Sequence, residues 1–259
     1  MKRFSPVLFP GMVQSLAPFV FFGLLVLFAG AGAGAEAPGF ASPDPRFTVG
    51  ALVASDDFTR GTGSWKAELE KGGTVSAKDG VLRIDVPGGS SVWFKEPFSG
   101  PVLITYEATA IARGGPNDRV SDLNCFWMAT DPRANGNFLQ VPRSGAFADY
   151  DQLRCYYVGL GGNSNTTTRF RRYIGKAGNR PLLPEHDLGG ADVLLKPNAA
   201  QRIVLIAAGP HVAYYRDGIR LFGYEDPEPY IRGWFAFRTV TSHFEIRDFR
   251  VYELSGKSE

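Results

Sequence analysis

The stretch His211–Phe222, HVAYYRDGIRLF, decides the fold class. Its centre, Arg216-Asp217-Gly218-Ile219, is a hairpin signal, because Asp-Gly supplies the positive φ angles that a tight turn between two strands requires. A short run of apolar and aromatic residues stands on each side of the turn. The stretch therefore predicts an antiparallel pair of strands.

Short strands separated by turns recur on both sides of this hairpin. Val102–Ala110, VLITYEATA, alternates with period two, which is typical of a strand with one solvated face. Val81–Val86 alternates in the same way, and no long window has apolar residues at helical spacing. Further predicted strands are Val92–Phe94, Asn124–Met128, Leu153–Val158, Arg202–Ala208, Val212–Arg216, Ile219–Phe222, Gly233–Val240 and Phe244–Leu254. Many short strands with Gly and Asp turns predict an all-β sandwich.

The N-terminus has the pattern of a secretory signal peptide. Lys2 and Arg3 precede an apolar run, Phe19–Phe28, and small residues end the segment at Ala33-Gly34-Ala35. An uncleaved membrane anchor is the alternative, but the segment from Phe19 is roughly 17 residues long, at the lower limit for a span. We therefore predict a signal peptide at 1–35, a leader at 36–50, a domain at 51–259, and an exported protein, periplasmic or secreted, with no stable membrane span.

Composition excludes several classes of function. The net charge of +2 is too small to indicate a nucleic-acid partner. The two cysteines, Cys125 and Cys155, fit neither a disulfide scaffold nor a paired-cysteine zinc site. They either pair across neighbouring strands or are two small buried residues. We expect no cofactor, and leave open a structural calcium ion held by Asp56, Asp57 or Asp248.

Several short motifs carry a resemblance to a known family. They are Asp56-Asp57-Phe58 with Trp65, the Gly80–Ile84 strand, Phe98–Val102 leading into Tyr106-Glu107-Ala108, the Tyr215–Gly218 hairpin, and Gly233–Arg238 with Phe249–Leu254. With these motifs the chain resembles the concanavalin A-like jelly roll. More narrowly, it is similar to the domain called 3-keto-disaccharide hydrolase and to a sister family of secreted bacterial domains found with glycan-degradation genes. The resemblance implies a two-sheet antiparallel jelly-roll sandwich whose concave face holds a carbohydrate.

The residues of the binding face are predicted from alternation and from side-chain chemistry. In Trp234–Arg238 we assign Phe235 and Phe237 to the core and Arg238 to the open face. The alternative is that Arg238 pairs with an acid at the rim of the sandwich. In Arg169–Tyr173, two guanidinium groups and a phenol share one side and would grip a carboxylate and stack on a sugar ring. The alternative is a solvated face of charges. The predicted substrate-binding residues are Arg143, Tyr156, Asn163, Asn165, Arg169, Arg238 and Trp127.

Two kinds of cleavage are considered for the predicted glycan. Hydrolysis needs two carboxyl groups across the bond, and no pair stands out among Asp149, Asp151, Glu185 and Asp187. Elimination needs a base and groups that neutralise an enolate, which Tyr, His, Arg and Asn supply. We therefore slightly prefer an elimination, as in polysaccharide lyases. The candidate catalytic residues are His186, Tyr173, Arg171 and Glu185.

Two alternatives stay open. In the first, the chain would be a glycoside hydrolase, and keto-glycosides are among its potential substrates. In the second, it would be a non-catalytic carbohydrate-binding module. In the binding module, Trp93, Trp127 and Trp234 would be stacking platforms, although large aromatic residues in a sandwich usually belong to the core.

Overall fold

The computed structural model describes Met1 and residues 40–257 of the 259-residue chain. The predicted signal peptide therefore lies outside the described residues apart from Met1, as do residues 36–39 of the predicted leader. The first strand begins at Phe47, and the ring of Phe40 stacks on Tyr252 with centroids 6.2 Å apart. Residues before position 51 thus already pack on the domain. Between residues 40 and 257, no helix has the length and apolar character needed to cross a bilayer.

The described part of the chain forms fourteen strands and a few short helical turns. The strands are β1 (Phe47–Asp56), β2 (Trp65–Leu69), β3 (Thr74–Lys78), β4 (Val81–Phe94), β5 (Phe98–Ser99), β6 (Val102–Ala110), β7 (Leu123–Thr130), β8 (Arg154–Gly161), β9 (Thr167–Ile174), β10 (Asp187–Leu188), β11 (Ala200–Ala208), β12 (His211–Arg216), β13 (Ile219–Glu225) and β14 (Arg232–Gly256). The 3-10 turns are Phe138–Gln140, Phe147–Tyr150, Pro184–His186 and Ala191–Val193, and Gly162–Asn165 forms a single helical turn. The predicted all-β class is confirmed.

The strands form one antiparallel sheet that folds over on itself into two layers. The order β10-β9-β8-β7-β14-β6-β11-β12-β13 runs across it, and β14 also pairs with β1, β4 and β5. β9 and β13 are far apart in this order, yet Phe170 of β9 lies 5.9 Å from Phe222 of β13 between ring centroids. The two halves of the sheet therefore face each other across a shared core, which is the predicted two-sheet sandwich.

Aromatic side chains fill the core between the layers. Trp65 stacks on Phe237 with ring centroids 5.1 Å apart, and its indole nitrogen donates a 2.9 Å hydrogen bond to Asp56. Phe235 and Phe237 are both in this core, as their alternation with Arg238 predicted. Burying one such ring contributes on the order of 2–3 kcal/mol. The apolar residues that the period-two pattern singles out are thus the residues that form the core.

Local sequence signals placed most of the strands correctly. Asp217 and Gly218 adopt φ values of 51° and 80°, the positive pair that the hairpin required. β6 spans the predicted range Val102–Ala110, although its second face is largely covered, since Leu103 packs in a separate cluster with Phe47. The predicted strands Gly233–Val240 and Phe244–Leu254 are one continuous strand, β14. Thr241, at φ 39°, accommodates the irregularity between its two halves.

The two cysteines do not pair. Cys125 and Cys155 lie on adjacent strands, but Cys125 stands opposite Val158 and Cys155 opposite Tyr173. Cys125 packs in the core between the layers, and Cys155 packs in the cluster on the opposite face of the same strands. Both are free and buried. Of the two possibilities left open by the sequence, the structure has two small buried residues.

Candidate functional site

One row of side chains crosses the outer face of the sheet, which is the face turned away from the core. Strand pairing aligns Arg238 of β14, Asn124 of β7, Gly159 of β8, Arg169 of β9 and Asp187 of β10. The residues that alternate with this row, including Phe237, Val158 and Phe170, point into the core. The row therefore brings polar side chains from four strands, with Gly159 of β8 between them, to one surface.

The neighbouring row on the same face is aromatic and cationic. It pairs Ala236 with Phe126, Phe126 with Tyr157, and Tyr157 with Arg171. Gly159 makes room for the Tyr157 side chain, because a Cβ at Gly159 would lie 3.0 Å from the Tyr157 hydroxyl oxygen. The phenol thus lies over the glycine, between Asn124 and Arg169.

The parts of these two rows that lie on β7, β8 and β9 form the floor of a cleft of about 530 Å³. The lining residues are Asp122, Asn124, Phe147, Tyr157, Gly159, Gly162, Asn163, Thr167, Arg169, Arg171, Gly178, Arg180 and Val240. Amide, hydroxyl and guanidinium groups predominate among them, and two aromatic rings are the main apolar surfaces. The cleft is suited to a polar ligand with a ring face.

Three of the charges around the cleft are matched by opposite charges. Arg169 forms a two-pronged ion pair with Asp187, with Nε 2.7 Å and Nη2 3.1 Å from the carboxylate oxygens. Arg180 Nε lies 3.4 Å from Asp151, and Asp122 lies 3.6 Å from Arg119. These pairs fix the positions of the side chains at the rim.

Arg171 has no carboxylate within ion-pair distance among the described residues. Its Nη1 donates to the backbone oxygen of Arg180. Burial and the nearby charge of Arg169 lower the pKa of Arg171, against the opposing effect of Tyr173. The guanidinium nevertheless stays charged, since an arginine pKa begins above 12. Its charge is available to a ligand in the cleft.

Arg238 is a buried guanidinium whose charge is likewise unmatched. Its side chain is 2% exposed, Nη1 donates to the backbone oxygen of Gly145, and Nε and Nη2 have no hydrogen-bond partner among the described residues. The rings of Tyr150 and Phe147 lie 5.1 Å and 5.3 Å from its Cζ. Burial lowers its pKa. The neighbouring tyrosines and the charge of Glu70 oppose this effect, so the protein itself offsets part of the cost of burying the charge.

The Tyr157 phenol is protonated at neutral pH. Burial raises its pKa above the usual range, and the Asp122 carboxylate adds to the effect, while Arg238 opposes it. In the absence of a ligand, this hydroxyl is therefore a proton donor. Asp122 is the one carboxylate among the residues that line the cleft.

Several predicted site residues come together in the cleft. Arg169, Arg171 and Asn163 line it. Arg238 lies on the predicted face, next to Asn124, but it is buried and does not line the cleft, so its assignment to the open surface was wrong. Asn163 donates a 3.2 Å hydrogen bond to Thr167 Oγ1 and lies in a turn with positive φ angles. The prediction that Arg169, Arg171 and Tyr173 share one side of their strand is confirmed.

The candidate catalytic residues are not brought together. His186 lies on the opposite face of β9, packed edge-on against Phe170 at 4.8 Å between ring centroids. Glu185 is exposed on the short helical turn beside it. Tyr173 is on the cleft face but is fully buried, and burial raises its pKa well above the usual range. Only Arg171 of the four lines the cleft.

Two predicted binding residues are on the wrong face for that role. Trp127 and Tyr156 are fully buried in the core between the layers, with ring centroids 5.5 Å apart. The Tyr156 hydroxyl donates a 2.7 Å hydrogen bond to Asp226. The sequence analysis named these two residues without assigning a face to their strands, and both lie on the side that packs on the second layer.

Two others are engaged in structural contacts. The Arg143 side chain is fully buried and contacts Glu68 at 3.1 Å and Asp131 at 3.2 Å. The Asn165 side chain donates to the Leu195 oxygen at 3.0 Å and accepts from the Leu195 nitrogen at 2.9 Å. Neither side chain is free to bind a ligand in this conformation.

The sequence reasoning missed Asp122, Asn124, Tyr157 and Arg180. Asn124 and Tyr157 stand on strands that were predicted, and both alternate with residues of the core. The registers of β7 with β8 and of β8 with β9 align Asn124 with Arg169 and Tyr157 with Arg171, but a single sequence does not supply these registers. Arg180 lies on the loop that follows β9, whose path no local signal specifies.

No group of three or more His, Cys, Asp or Glu side chains within the described residues could hold a metal ion. Of the residues named for a calcium ion, Asp56 accepts hydrogen bonds from Phe58 and Trp65, and Asp57 accepts from Thr59. Asp248 pairs with Arg250 at 2.7 Å. These carboxylates have local partners instead of a common centre.

Comparison with solved structures shows the fold. A Bacillus subtilis protein of unknown function with a galectin-like fold is 18% identical and has a TM-score of 0.62, over 82% of this chain and all of the other. An endo-β-1,3-glucanase from Pyrococcus furiosus is 13% identical with a TM-score of 0.51, over 83% of this chain and all of the other. The β-agarase A of Zobellia galactanivorans is 13% identical with a TM-score of 0.51, over 87% and 98% of the two chains. The predicted concanavalin A-like jelly roll is confirmed.

No curated protein matches the chain. The model of one protein family, described as a domain of unknown function and called DUF6250, matches residues 84–249. This match covers more than half of the chain and includes β4 to β14 in part or in full. The chain therefore belongs to the DUF6250 family.

Proposed function

We propose that the cleft binds a glycan residue that carries a carboxylate group. The observation behind this proposal is the Arg171 guanidinium, which lines the cleft and has no carboxylate partner among the described residues. Arg238, buried on the same face beside Asn124, adds a second positive charge without an ion pair. Charged hydrogen bonds to a carboxylate are about twice as strong as neutral ones. An acidic ligand would supply the missing negative charge.

The remaining groups of the cleft favour a sugar over a simple anion. Asn124, Asn163 and Thr167 offer hydrogen-bond donors and acceptors for hydroxyl groups, and the rings of Phe147 and Tyr157 offer flat apolar surfaces. Two of the proteins with a similar fold, the endo-β-1,3-glucanase and the β-agarase, are polysaccharide-cleaving enzymes by name, which supports a carbohydrate ligand.

Binding assays with matched ligands test this proposal. Titration calorimetry of the purified protein is expected to detect binding of at least one of polygalacturonate, alginate and hyaluronan. The methyl ester of the same polymer is expected to bind more weakly, because esterification removes the negative charge. Binding should also weaken with added salt, since screening reduces the attraction.

Substitution of Arg171 tests whether the ligand binds in the cleft. Replacing Arg171 with Gln removes one charged hydrogen bond, worth about 1.5–3 kcal/mol, and should weaken binding about tenfold to hundredfold. The control is Arg250→Gln, outside the cleft lining, whose side chain is 47% exposed and pairs with Asp248. Equal affinity of the two variants, or equal binding of acid and ester, would refute the proposal.

Elimination is the second candidate function, and one specific observation favours it. The Tyr157 hydroxyl lies over Gly159, on the floor of the cleft and beside the cationic row. Elimination requires a proton acceptor for the carbon acid, a donor for the leaving oxygen, and positive charge near the enolate. Tyr157 is suited to the donor role, Asp122 to the acceptor role, and Arg171 to charge neutralisation.

This assignment replaces most of the catalytic residues named from the sequence. Three of the earlier candidates have no part in it. His186 lies on the opposite face of β9, Glu185 is exposed on a neighbouring turn, and Tyr173 is buried in the interior. Elimination predicts a product that absorbs in the ultraviolet, and Tyr157→Phe should abolish it while binding persists. New reducing ends without that absorbance would indicate hydrolysis instead, and a 3-keto-glucoside in the same panel tests cleavage of keto-glycosides. Binding with neither signal would identify a binding module.

A further inference from the structure

The segment between β7 and β8, residues 131–153, crosses the outer face of the sheet, and we call it the strap. The outward-facing side chains of β2, β4 and β14 lie beneath the strap rather than beneath another sheet. Glu68, Ser91, Trp93, Ala236 and Arg238 are each 5% exposed or less. Trp93 and Ala236 share a cluster with Phe138 and Tyr150 of the strap. The part of the outer face that β2, β4 and β14 form is therefore covered by the chain itself.

Strong contacts hold the strap in place. Arg143 reaches Glu68 at 3.1 Å, and the Tyr150 hydroxyl donates a 2.8 Å hydrogen bond to the same carboxylate. The ring of Phe138 stacks on Trp234 with centroids 4.6 Å apart. These contacts join three points along the strap to the underlying strands, so the covering is part of the fold and not a loose loop.

Gly145 is the point at which the strap closes one end of the cleft. Its backbone oxygen accepts a hydrogen bond from Arg238, and a Cβ at this position would lie 2.5 Å from the Glu70 nitrogen and 2.9 Å from the Gly89 oxygen. The strap therefore lies directly against β2 and β4 at the level of the polar row. Phe147 follows two residues later and lines the cleft.

The open part of the face spans β7 to β9. Two strand spacings make this about 10 Å across, which is short for an extended polysaccharide. On the other side, β9 ends the floor with Arg169 and its partner Asp187, both partly exposed. A glycan can leave the cleft on that side, but its path across β14 is blocked.

We propose that the strap makes the cleft one-ended, so that it takes the terminal residue of an acidic glycan and not an internal segment. This inference rests on the proposed function, because it concerns the same cleft. It also gives Arg238 a role. The positive charge of Arg238 lies behind the edge of the strap at the closed end of the cleft. It therefore acts on the terminal sugar through its charge, without direct contact.

Stoichiometry and chain length test the inference with the protein unchanged. The probe is the polymer among polygalacturonate, alginate and hyaluronan that binds best, prepared as a polymer and as oligosaccharides of one to six residues. We expect affinity to stop rising at the disaccharide or trisaccharide. On the polymer, we expect one protein molecule per chain end, so that the sites per unit mass double when the chains are cut to half their length.

A strap variant provides the second test. Gly145→Ala places a methyl group against the backbone of β2 and β4 and should displace the strap. The matched control is Gly136→Ala, because Gly136 also lies in the strap with positive φ, 84° against 96°, but has no atom within 4 Å of the added methyl. Gly145→Ala should bind hexasaccharides at least about tenfold more tightly relative to disaccharides than the control does, since the covered subsites open.

The outcomes separate the two proposals. If affinity rises steadily to the hexasaccharide in the unchanged protein, or many molecules bind along each polymer chain, the one-ended cleft is refuted while acidic glycan binding stands. If no acidic glycan binds, the proposed function fails and this inference fails with it. Should Gly145→Ala not fold, the stoichiometry on the polymer decides alone.

Discussion

Glu68 is the residue whose replacement should most weaken the attachment of the strap. Its side chain is 2% exposed, and it accepts hydrogen bonds from Arg143, the Trp93 indole nitrogen at 2.8 Å and the Tyr150 hydroxyl at 2.8 Å. Glu68→Ala removes the shared acceptor and leaves a buried cation and two buried donors. Breaking a buried ion pair costs about 3–5 kcal/mol, and each unsatisfied donor about 1–3 kcal/mol.

The expected loss of unfolding free energy is about 4 kcal/mol, because Arg143 retains Asp131 at 3.2 Å and part of the cost is relieved by water. Urea denaturation, with the slope held common to all variants, measures it. The control is Glu107→Ala, whose partner Arg202 is 40% exposed and whose loss should cost less than about 1 kcal/mol. If the two variants agree within about 1 kcal/mol, the strap is not held by Glu68 and the reasoning is refuted.

Three further predictions concern pH, thiol reactivity and export. Burial raises the pKa of Asp131, but hydrogen bonds and charge from Arg133, together with the charge of Arg143, lower it more, so the net shift is downward. Its stabilising effect is therefore complete above about pH 4 and lost as the pH falls through the lower folded-state pKa; denaturation midpoints of Asp131→Asn should differ from wild type at pH 7 and converge with it in acid. Burial raises the pKa of Cys125 to about 12 and that of Cys155 as well, so neither thiol should react with an alkylating reagent until the protein unfolds, and rapid labelling of the native protein would contradict this. Mass spectrometry of the exported protein, recovered from the periplasm or the medium, should find a chain that begins at residue 36. An intact N-terminus in this exported protein would rule out a cleaved signal peptide.

The sequence predicted the parts of the fold that depend on neighbouring residues. The Asp217-Gly218 turn was identified because its chemistry is local, and Phe235 and Phe237 were assigned to the core because alternation along one strand sorts apolar from charged side chains. Arg169 and Arg171 share the cleft for the same reason. In each case, the deciding signal lies within a few residues of the feature.

The parts that failed depend on contacts between distant segments. Trp127 and Tyr156 were named as binding residues for their side-chain chemistry, but only the folding of the sheet decides which of its two faces meets the second layer. His186 follows β9 closely in sequence, yet its turn carries it to the core side, beside Phe170. Arg143 belongs to the strap and is buried against Glu68 of β2, and the strap covers Tyr173 from outside. No local sequence pattern in either segment predicts these contacts.

The position of β14 has a consequence for how the protein is made. This strand contains residues 232–256, so it leaves the ribosome after all the other strands, yet it pairs with β1, β4, β5, β6 and β7. Until it is present, those strands have open edges that invite pairing with other chains. The order of synthesis and the order of the sheet therefore conflict, and the folding step that closes the sheet is late and non-local. A cell that produces this protein has to keep the nascent chain from aggregating until its last strand arrives.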